Sequence, residues 1–388
     1  MFKEQGLPKN QVLELLSQTL ELDSTYTSGY PVSSMSTTPH QLGVEIFSRT
    51  MDRNAGRYNT FRGCEQIEHE TISMIGDLLR IHQPYGTSTS GGTESNVLAM
   101  LAARETSSRS IQRPTIIAPE TVHSSVEKAA WILGLNLIKT KVDDKFRAIP
   151  EEIEQAITPD TIGILCTAGT TYLGQVDPIP KIASIADAHQ LPLHVDAAFG
   201  GFVLPFLNAL GYPSPSFDFQ SPGVTSISMD PHKMGLAPIP ASFLLFRNQE
   251  PLQKITMNVP YLLGASANQR SLLGTRPAGP ILATWGIMKH LGRKGYQNII
   301  KTCMNNTMLA MDRIAVHPKL SVPIPPIMNL LAIQIEGRPL QKIAEVMGHK
   351  GWRMALSPIP PTIRMVVMPH LKPATIKAFF DQLIQELN

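Results

Sequence analysis

Short apolar segments alternate with amphipathic segments through the middle of this 388-residue chain. The apolar segments are rich in Val, Ile and Leu, which is typical of strands. The segments between them repeat apolar residues every three or four positions, which is typical of helices. The predicted strands are 115–118, 135–142, 161–167, 192–195, 224–229 and 242–246, and the predicted intervening helices are 125–133, 151–157 and 178–189. This alternation predicts an α/β fold with a mostly parallel sheet covered on both faces.

The two regions that flank this alternation have other patterns. Before it, we predict a helix at 12–22, an extended arm at 24–40, a helix at 65–81, a Gly/Ser/Thr loop at 86–93 and a helix at 94–104. After it, we predict helices at 281–291, 340–347 and 375–387, and strands at 330–335 and 362–368. We therefore expect an N-terminal helix and arm (1–45), a large domain (46–279) and a small α+β C-terminal domain (280–388).

The amino-acid composition indicates which classes of binding partner to expect. Charged residues make up 17% of the chain, below the roughly 25% that is typical of soluble domains, so we expect part of the surface to be buried in an oligomer. The net charge is +3, from 34 basic and 31 acidic residues, and no basic run is present. We expect no nucleic-acid partner and no association with a membrane surface.

The cysteines and the N-terminus indicate a cytoplasmic protein. Cys64, Cys166 and Cys303 are odd in number and far apart, which fits neither a disulfide framework nor a zinc site. Cys166 lies in an apolar segment, so we expect it in the core. The first ten residues lack the apolar region of a signal peptide. No run of 18 apolar residues predicts a transmembrane helix.

The segment Thr87-Ser-Thr-Ser-Gly-Gly-Thr-Glu-Ser-Asn96 is a candidate phosphate site. It precedes a predicted helix, and free backbone N–H groups at a helix N-terminus bind a phosphate well. Gly91 and Gly92 allow close approach, while Ser90 and Thr93 add hydroxyl donors. The spacing lacks the lysine of a P-loop and the glycines of a dinucleotide site. The alternative is an ordinary loop that caps a helix.

Two predicted strands end in groups with complementary chemistry. His194-Val-Asp-Ala-Ala-Phe-Gly-Gly201 supplies the carboxylate of Asp196, and Ser228-Met-Asp-Pro-His-Lys-Met-Gly235 supplies the amine of Lys233. Pyridoxal phosphate (PLP) requires this couple, because a lysine binds it covalently and an acid pairs with its ring nitrogen. Alone, Asp196 could be a capping acid and Lys233 a solvated loop lysine.

Four further residues fit the same cofactor. Ala198 is small enough to lie against one face of the ring, and His123, after another predicted strand, is placed to stack on the other. His232 and Ser228 are further candidates for binding the phosphate. For His123 the alternative is an ordinary surface histidine.

These motifs resemble those of the group II PLP-dependent amino acid decarboxylases, which have the aspartate-aminotransferase fold (fold type I). Within that family the chain is similar to the branch that acts on L-tyrosine or L-aspartate. The segments that carry the resemblance are 33–40, 89–96, 119–123, 194–201, 228–238 and 364–370, so it extends over nearly the whole chain. The glycine-rich block 89–96 is shared with sphingosine-phosphate lyases.

The resemblance implies roles for individual residues. Lys233 would bind PLP covalently, Asp196 would pair with the pyridine nitrogen and His123 would stack on the ring. Gly92 and Thr93 would hold the phosphate, and Thr170 would lie near the ring. Arg364 would bind the substrate α-carboxylate, with His40 of the arm also at the substrate. Tyr261 would be the mobile-loop acid that protonates the α-carbon, or else a tyrosine near a turn.

The expected activity is decarboxylation of L-tyrosine to tyramine, of L-aspartate to β-alanine, or of both. These amines would feed methanofuran and coenzyme A synthesis, and the resemblance implies a homodimer with active sites at the subunit interface. One alternative is a lyase similar to sphingosine-1-phosphate lyase, with a basic pocket around Arg276. The other is a non-catalytic PLP-binding protein, against which the intact Lys233 and Asp196 argue.

Overall fold

A seven-stranded sheet forms the centre of the computed structural model, which describes residues 2, 4–107, 111–262 and 264–388. The strand order is β1-β7-β6-β5-β4-β2-β3. Its strands are β1 (Tyr85–Thr89), β2 (Thr115–Pro119), β3 (Asn136–Thr140), β4 (Thr161–Thr167), β5 (Leu193–Asp196), β6 (Val224–Met229) and β7 (Ser242–Phe246). Strands β3, β2, β4, β5 and β6 are parallel, and β7 is antiparallel to both of its neighbours. The predicted α/β fold with a mostly parallel sheet is confirmed.

Helices cover both faces of the sheet and continue into the rest of the chain. They are α1 (Lys9–Leu20), α2 (Gln41–Arg49), α3 (Arg62–Leu78), α4 (Gly92–Thr106), α5 (Ser125–Leu133), α6 (Pro150–Gln155), α7 (Ile179–Ala188), α8 (Leu204–Leu207), α9 (Gln249–Lys254), α10 (Gly279–Ala315), α11 (Leu340–His349) and α12 (Pro373–Leu387). Strands β4, β5 and β6 have buried side chains along their length except for the half-exposed Thr225, as expected for parallel strands between two helical layers.

A strand replaces most of the loop predicted at 86–93. Residues Tyr85–Thr89 form β1, which pairs with β7 from Tyr85 opposite Phe246 to Thr89 opposite Ser242. The small hydroxyl side chains suggested a loop, but they are buried and find partners: the Thr89 and Ser95 hydroxyl oxygens lie 2.7 Å apart. Only Ser90 and Gly91 remain between β1 and α4.

A second sheet of four antiparallel strands lies in the C-terminal part. Its order is β10 (Leu320–Ser321), β11 (Leu330–Ile335), β13 (Pro361–Val366) and β12 (Ala355–Pro358). Helices α11 and α12 pack against it around a core that includes Phe379 and Phe380. Strand β12 was not predicted, because its four residues, Ala-Leu-Ser-Pro, are too few to give an alternating apolar pattern and end in a proline.

Helix α10 connects the two sheets. It continues well beyond the predicted 281–291 and is interrupted at Gly292, whose φ of 54° lies in the left-handed region. Before Gly292 it packs against α2 and α3, and its last turns pack on the small sheet and α12.

The N-terminal arm is attached to the small sheet. The Arg353 N–H donates to the Tyr30 carbonyl at 2.9 Å, and the Val366 N–H donates to the Val32 carbonyl at 2.8 Å. A two-stranded ribbon, β8 (Met257–Asn258) and β9 (Asn268–Gln269), lies after α9.

All three cysteines are buried free thiols, Cys166 within the core as expected. Within the described residues, no helix combines the length and the apolar character needed to cross a bilayer.

Candidate active site

A cavity of about 380 Å³ opens at the carboxyl ends of the central strands. Open α/β sheets bind ligands at this edge, because the loops that follow parallel strands converge there. The loops after β1, β2, β4, β5 and β6 all contribute to its wall. The lining residues are Met35, Ser90, Gly91, Gly92, Thr93, Glu94, His123, Thr167, Gly169, Thr171, Asp196, Ala198, Phe199, Asp230, His232, Lys233 and Ile239.

Asp196 is the last residue of β5 and its carboxylate is held by two donors. The Asn96 side-chain amide donates to Oδ2 at 2.8 Å, and the Ala198 N–H donates to Oδ1 at 3.0 Å. The residue is buried, at 6% exposure, although it lines the cavity. These two bonds, one to each oxygen, fix the orientation of the carboxylate at the cavity wall.

Lys233 enters the cavity beside a second carboxylate, that of Asp230. The Lys233 Nζ lies 3.1 Å from Asp230 Oδ2, and the His232 Nε2 lies 3.6 Å from the same oxygen. Burial opposes ionisation of Asp230, but Lys233 and His232 outweigh burial and hold the pKa of this carboxyl below its ordinary value.

His123 lies in the loop after β2 and lines the same cavity as Ala198. Its Nδ1 accepts from the Ser125 N–H at 3.2 Å and lies 2.8 Å from the Ser125 hydroxyl. Because Nδ1 is an acceptor, the neutral ring carries its proton on Nε2. Burial lowers the pKa of His123, and the charge of Asp196 acts in the opposite direction.

The start of α4 forms the candidate phosphate end of the cavity. The first N–H groups of an α-helix have no partner within the helix and carry its positive dipole end. A Cβ on Gly92 would lie 3.1 Å from Asp230 Oδ2 and 3.3 Å from the Ala198 Cβ, so glycine keeps this part of the wall open. Glu94 holds the turn, since its carboxylate accepts from the N–H groups of Ser90 at 2.7 Å and Leu272 at 2.8 Å.

Two of the predicted cofactor residues lie behind the cavity wall. The Thr170 hydroxyl accepts from the Gln175 N–H at 3.0 Å, while its neighbours Gly169 and Thr171 line the cavity. Ser228 is wholly buried in β6, beside Asp196 in register, and its hydroxyl has no hydrogen-bond partner in the described part of the chain.

Three residues predicted to bind the substrate or to transfer a proton are not among those that line the cavity. The Arg364 guanidinium donates to the carbonyls of Thr171 at 3.1 Å and Ser33 at 2.8 Å, next to the cavity wall. The His40 ring accepts from the Leu42 N–H at 3.2 Å at the start of α2 and is not among the lining residues. Tyr261, between β8 and β9, is 81% exposed.

The structure adds residues for which the sequence reasoning assigned no role. Asp230 and Asn96 lie within the motifs that were singled out, and their positions after a strand and in the first turns of a helix were the available signals. Met35, Phe199 and Ile239 line the cavity with apolar side chains. Met35 and Phe199 lie within segments 33–40 and 194–201, which carry the resemblance, but no role was assigned to them, and Ile239 lies just beyond segment 228–238.

The residues present fit PLP. Beside the cavity, the Thr167 hydroxyl and Asp230 Oδ1 are buried polar atoms without a partner among the described residues, and both line its wall. Buried polar groups are rarely left unpaired, so such atoms indicate a polar ligand. The ligand must also be complementary to an amine, a carboxylate and a helix N-terminus. PLP meets these requirements, because it has an aldehyde, a basic ring nitrogen and a phosphate.

Comparison with known proteins agrees with this geometry. The model of the pyridoxal-dependent decarboxylase conserved domain matches residues 33–335. Over 387 residues the chain is 40% identical to a probable L-aspartate decarboxylase of Pyrococcus abyssi, covering 100% of this chain and 99% of the relative. It is 38% identical to a probable L-tyrosine/L-aspartate decarboxylase of Methanothermobacter thermautotrophicus, covering 92% and 98%. The structure of the sphingosine-1-phosphate lyase of Burkholderia pseudomallei superposes with a TM-score of 0.91 at 29% identity, covering 99% of this chain and 92% of that one.

Proposed function

We propose that this chain, which belongs to the pyridoxal-dependent decarboxylase family and is a PLP-dependent amino acid decarboxylase, acts on L-aspartate and releases β-alanine. The full-length similarity to a protein named as a probable L-aspartate decarboxylase carries this proposal. Removal of the α-carboxyl group of aspartate leaves the amine on a terminal carbon, which is the structure of β-alanine.

The geometry of the cavity supports a proposed role for each residue at the cofactor. Bound PLP withdraws electrons from the substrate α-carbon and so supplies the driving force for losing carbon dioxide. Lys233 would bind the cofactor, and Asp196 would face the ring nitrogen with its charge. The start of α4, with Ser90, Gly92 and Thr93, would hold the phosphate, and His232, which lines the same cavity, would assist.

Arg364 is our candidate for binding the substrate α-carboxylate. Its guanidinium contacts two backbone carbonyls and has no carboxylate partner in the part of the chain that the structure describes, so its positive charge is not neutralised. Its Nε is buried and unpaired there as well. A guanidinium held by neutral acceptors is suited to orienting a carboxylate.

Proton transfer to the α-carbon would fall to His123 or Tyr261. The N–H that we assign to His123 Nε2 belongs to a ring that lines the cavity. Tyr261 is exposed and would need closure of its segment to act. Such closure would also exclude water from the site.

A second candidate substrate is L-tyrosine. The thioether of Met35 and the aliphatic side chain of Ile239 line the cavity and offer an apolar surface that an aromatic side chain would use better than a carboxylate. A relative of this chain carries the name L-tyrosine/L-aspartate decarboxylase.

The assembly and the cellular context are part of the proposal. We propose a cytoplasmic homodimer of subunits divided at about residues 45 and 279, in which β-alanine feeds coenzyme A synthesis or tyramine feeds methanofuran synthesis. The low charged fraction supports an oligomer. So does α1, none of whose residues is buried within the chain and whose Leu13 is 53% exposed.

The experiment that tests the substrate is product analysis. The purified protein, loaded with PLP, is incubated separately with L-aspartate, L-glutamate and L-tyrosine, and amines are quantified by mass spectrometry. We expect β-alanine from aspartate, and none from Lys233→Ala. If tyramine is the only amine formed, the proposed substrate changes from L-aspartate to L-tyrosine. Cleavage of a phosphorylated long-chain amino alcohol, with no amine from any amino acid, would contradict decarboxylation and favour the lyase alternative.

A further inference from the structure

A second layer of buried polar side chains lies directly behind Asp196. Asn96 of α4 is fully buried, and His194 of β5 and Ser226 of β6 are 6% and 4% exposed. The Asn96 Oδ1 lies 3.0 Å from His194 Nε2, and the Ser226 hydroxyl lies 2.8 Å from His194 Nδ1. With the 2.8 Å bond from the Asn96 amide to Asp196, these groups form one continuous hydrogen-bonded network.

The hydrogen-bond partners indicate where the protons of this network lie. The Asn96 amide nitrogen donates both to Asp196 and to the Ser125 hydroxyl, which leaves its Oδ1 as the acceptor. His194 must therefore donate from Nε2. Burial lowers the pKa of His194, although the charge of Asp196 acts in the opposite direction. The imidazole is therefore neutral, and its Nδ1 accepts from the Ser226 hydroxyl, 2.8 Å away.

A neutral His194 leaves the negative charge on Asp196. A histidinium at this place would compete with the cofactor for that charge, because two charges in a buried site interact strongly. The neutral tautomer instead orients the Asn96 amide, and the amide with the Ala198 N–H holds both carboxylate oxygens. The carboxylate can then neither rotate nor take up a proton without losing a hydrogen bond.

We propose that Asn96 and His194 are positioning residues that hold the Asp196 carboxylate in place and aim it at the ring nitrogen of PLP. This inference rests on the proposed function only in that Asp196 faces that nitrogen. Asn96 contacts Asp196 directly, whereas His194 acts through Asn96 and is itself oriented by Ser226. Without the layer, Asp196 would hold the proton on the ring nitrogen less strongly, and the ring would become a weaker electron acceptor.

The test measures the state of the ring nitrogen and not the reaction. PLP labelled with ¹⁵N at the ring is bound to each variant, and its chemical shift reports whether the nitrogen is protonated. In parallel, the affinity for PLP is compared with that for the analogue in which carbon replaces the ring nitrogen. Neither readout depends on which amino acid is decarboxylated.

Four variants separate positioning from packing. Asn96→Leu removes the amide at similar size, His194→Leu removes the ring donor, and His194→Gln can restore a donor to Asn96. Asn329→Leu is the matched control, because Asn329 is also a fully buried asparagine but donates to the Val367 carbonyl instead of to Asp196.

We expect wild type to bind protonated PLP and to prefer it over the carbon analogue. Asn96→Leu should reduce that preference about tenfold, the factor expected for one hydrogen bond to a charged group, and shift the ¹⁵N signal towards the neutral ring. His194→Leu should have a smaller effect in the same direction that His194→Gln reverses, and Asn329→Leu should keep the wild-type preference.

Two results would overturn the inference in distinguishable ways. If wild type and Asp196→Asn show the same ring-nitrogen signal, Asp196 does not pair with the ring, and both the inference and the role proposed for Asp196 fail. If wild type differs from Asp196→Asn but Asn96→Leu and His194→Leu match wild type, only the positioning layer fails. Should Asn96→Leu not fold, the two His194 variants decide the question.

Discussion

At the scale of single residues, Lys233 and Asp230 form a largely buried ion pair in the site. The side chain of Asp230 is 2% exposed and that of Lys233 is 19% exposed, with Nζ and Oδ2 3.1 Å apart. Removing one member of a buried pair leaves an uncompensated charge, which costs more than the pair itself contributes. The pair therefore links Lys233, the residue proposed to bind the cofactor, to the stability of the protein without cofactor.

A double-mutant cycle tests this coupling. We expect Lys233→Met to lower the free energy of unfolding of the cofactor-free protein by about 3 kcal/mol, because Asp230 loses its nearest cation. The double variant Lys233→Met/Asp230→Asn should recover at least half of that loss, since no charge is then left unpaired. Urea denaturation of the four proteins measures the coupling, and additive losses in the double variant would contradict it.

At the scale of elements, the loops after β4 and β5 approach each other more closely than side chains allow. A Cβ on Gly200 would lie 2.1 Å from the Ala168 carbonyl oxygen, and one on Gly169 would lie 2.9 Å from the Gly200 nitrogen. Gly169 also has a φ of 106°, which glycine adopts without strain. These two loops carry cavity residues on both sides, so their close contact sets the shape of the site.

Adding one methyl group at Gly200 should push the two loops apart. We expect Gly200→Ala to weaken PLP binding at least tenfold, because the Ala168 backbone must move and a shift of one element displaces its lining residues. Gly63→Ala is the control: a Cβ there meets nothing within 4 Å in helix α3, so this change should leave binding unaltered and stability equal or slightly higher. Cofactor titration by fluorescence quenching measures both, and equal affinities for the two variants would refute the argument.

At the scale of the whole molecule, buried histidines connect distant parts of the chain. His370 joins the arm to the C-terminal part through the Thr37 hydroxyl at 2.9 Å and the Pro31 carbonyl at 3.1 Å. His194 joins β5 to α4 and β6. Burial lowers the pKa of both, so the folded protein resists their protonation more than the unfolded chain does.

The sign of the resulting pH dependence follows from this difference. Above the ordinary histidine pKa of about 6.5 the contribution to stability is complete, and it is lost as the pH falls towards the lowered pKa values. We expect the free energy of unfolding of the cofactor-free protein to drop by about 1 kcal/mol between pH 7.5 and 6. Asp177 opposes part of this loss, because burial raises its pKa to about 6.

Urea denaturation at fixed protein concentration across this range measures the effect. His370→Gln, which cannot be protonated there, should have a shallower dependence on pH than wild type. A free energy of unfolding that is constant or rises on acidification would contradict the assignment of neutral, buried histidines.

Local sequence predicted the bounds of those elements whose apolar pattern ends at a clear boundary residue. The bounds of β4, β6, β7, β11 and α5 were predicted without error, because each apolar run ends at a polar or Gly/Pro boundary. The position of Asp196 at the end of β5 and that of Lys233 in the loop after β6 agree with the same local pattern. Strand β1 could not be predicted in this way, since its hydroxyl and glycine residues form a strand only when β7 supplies the hydrogen-bond partners.

Tertiary structure alone decided which distant groups meet. Asn96 and Asp196 are 100 residues apart in the chain, and Arg364 reaches carbonyls in the arm and in the loop after β4. Such contacts depend on the packing of several elements at the carboxyl edge of one sheet, which periodicity within a short segment does not encode. Local patterns were therefore sufficient to predict the fold class and to nominate candidate reactive groups, whereas the packing of distant elements placed the buried neighbours that hydrogen-bond to them.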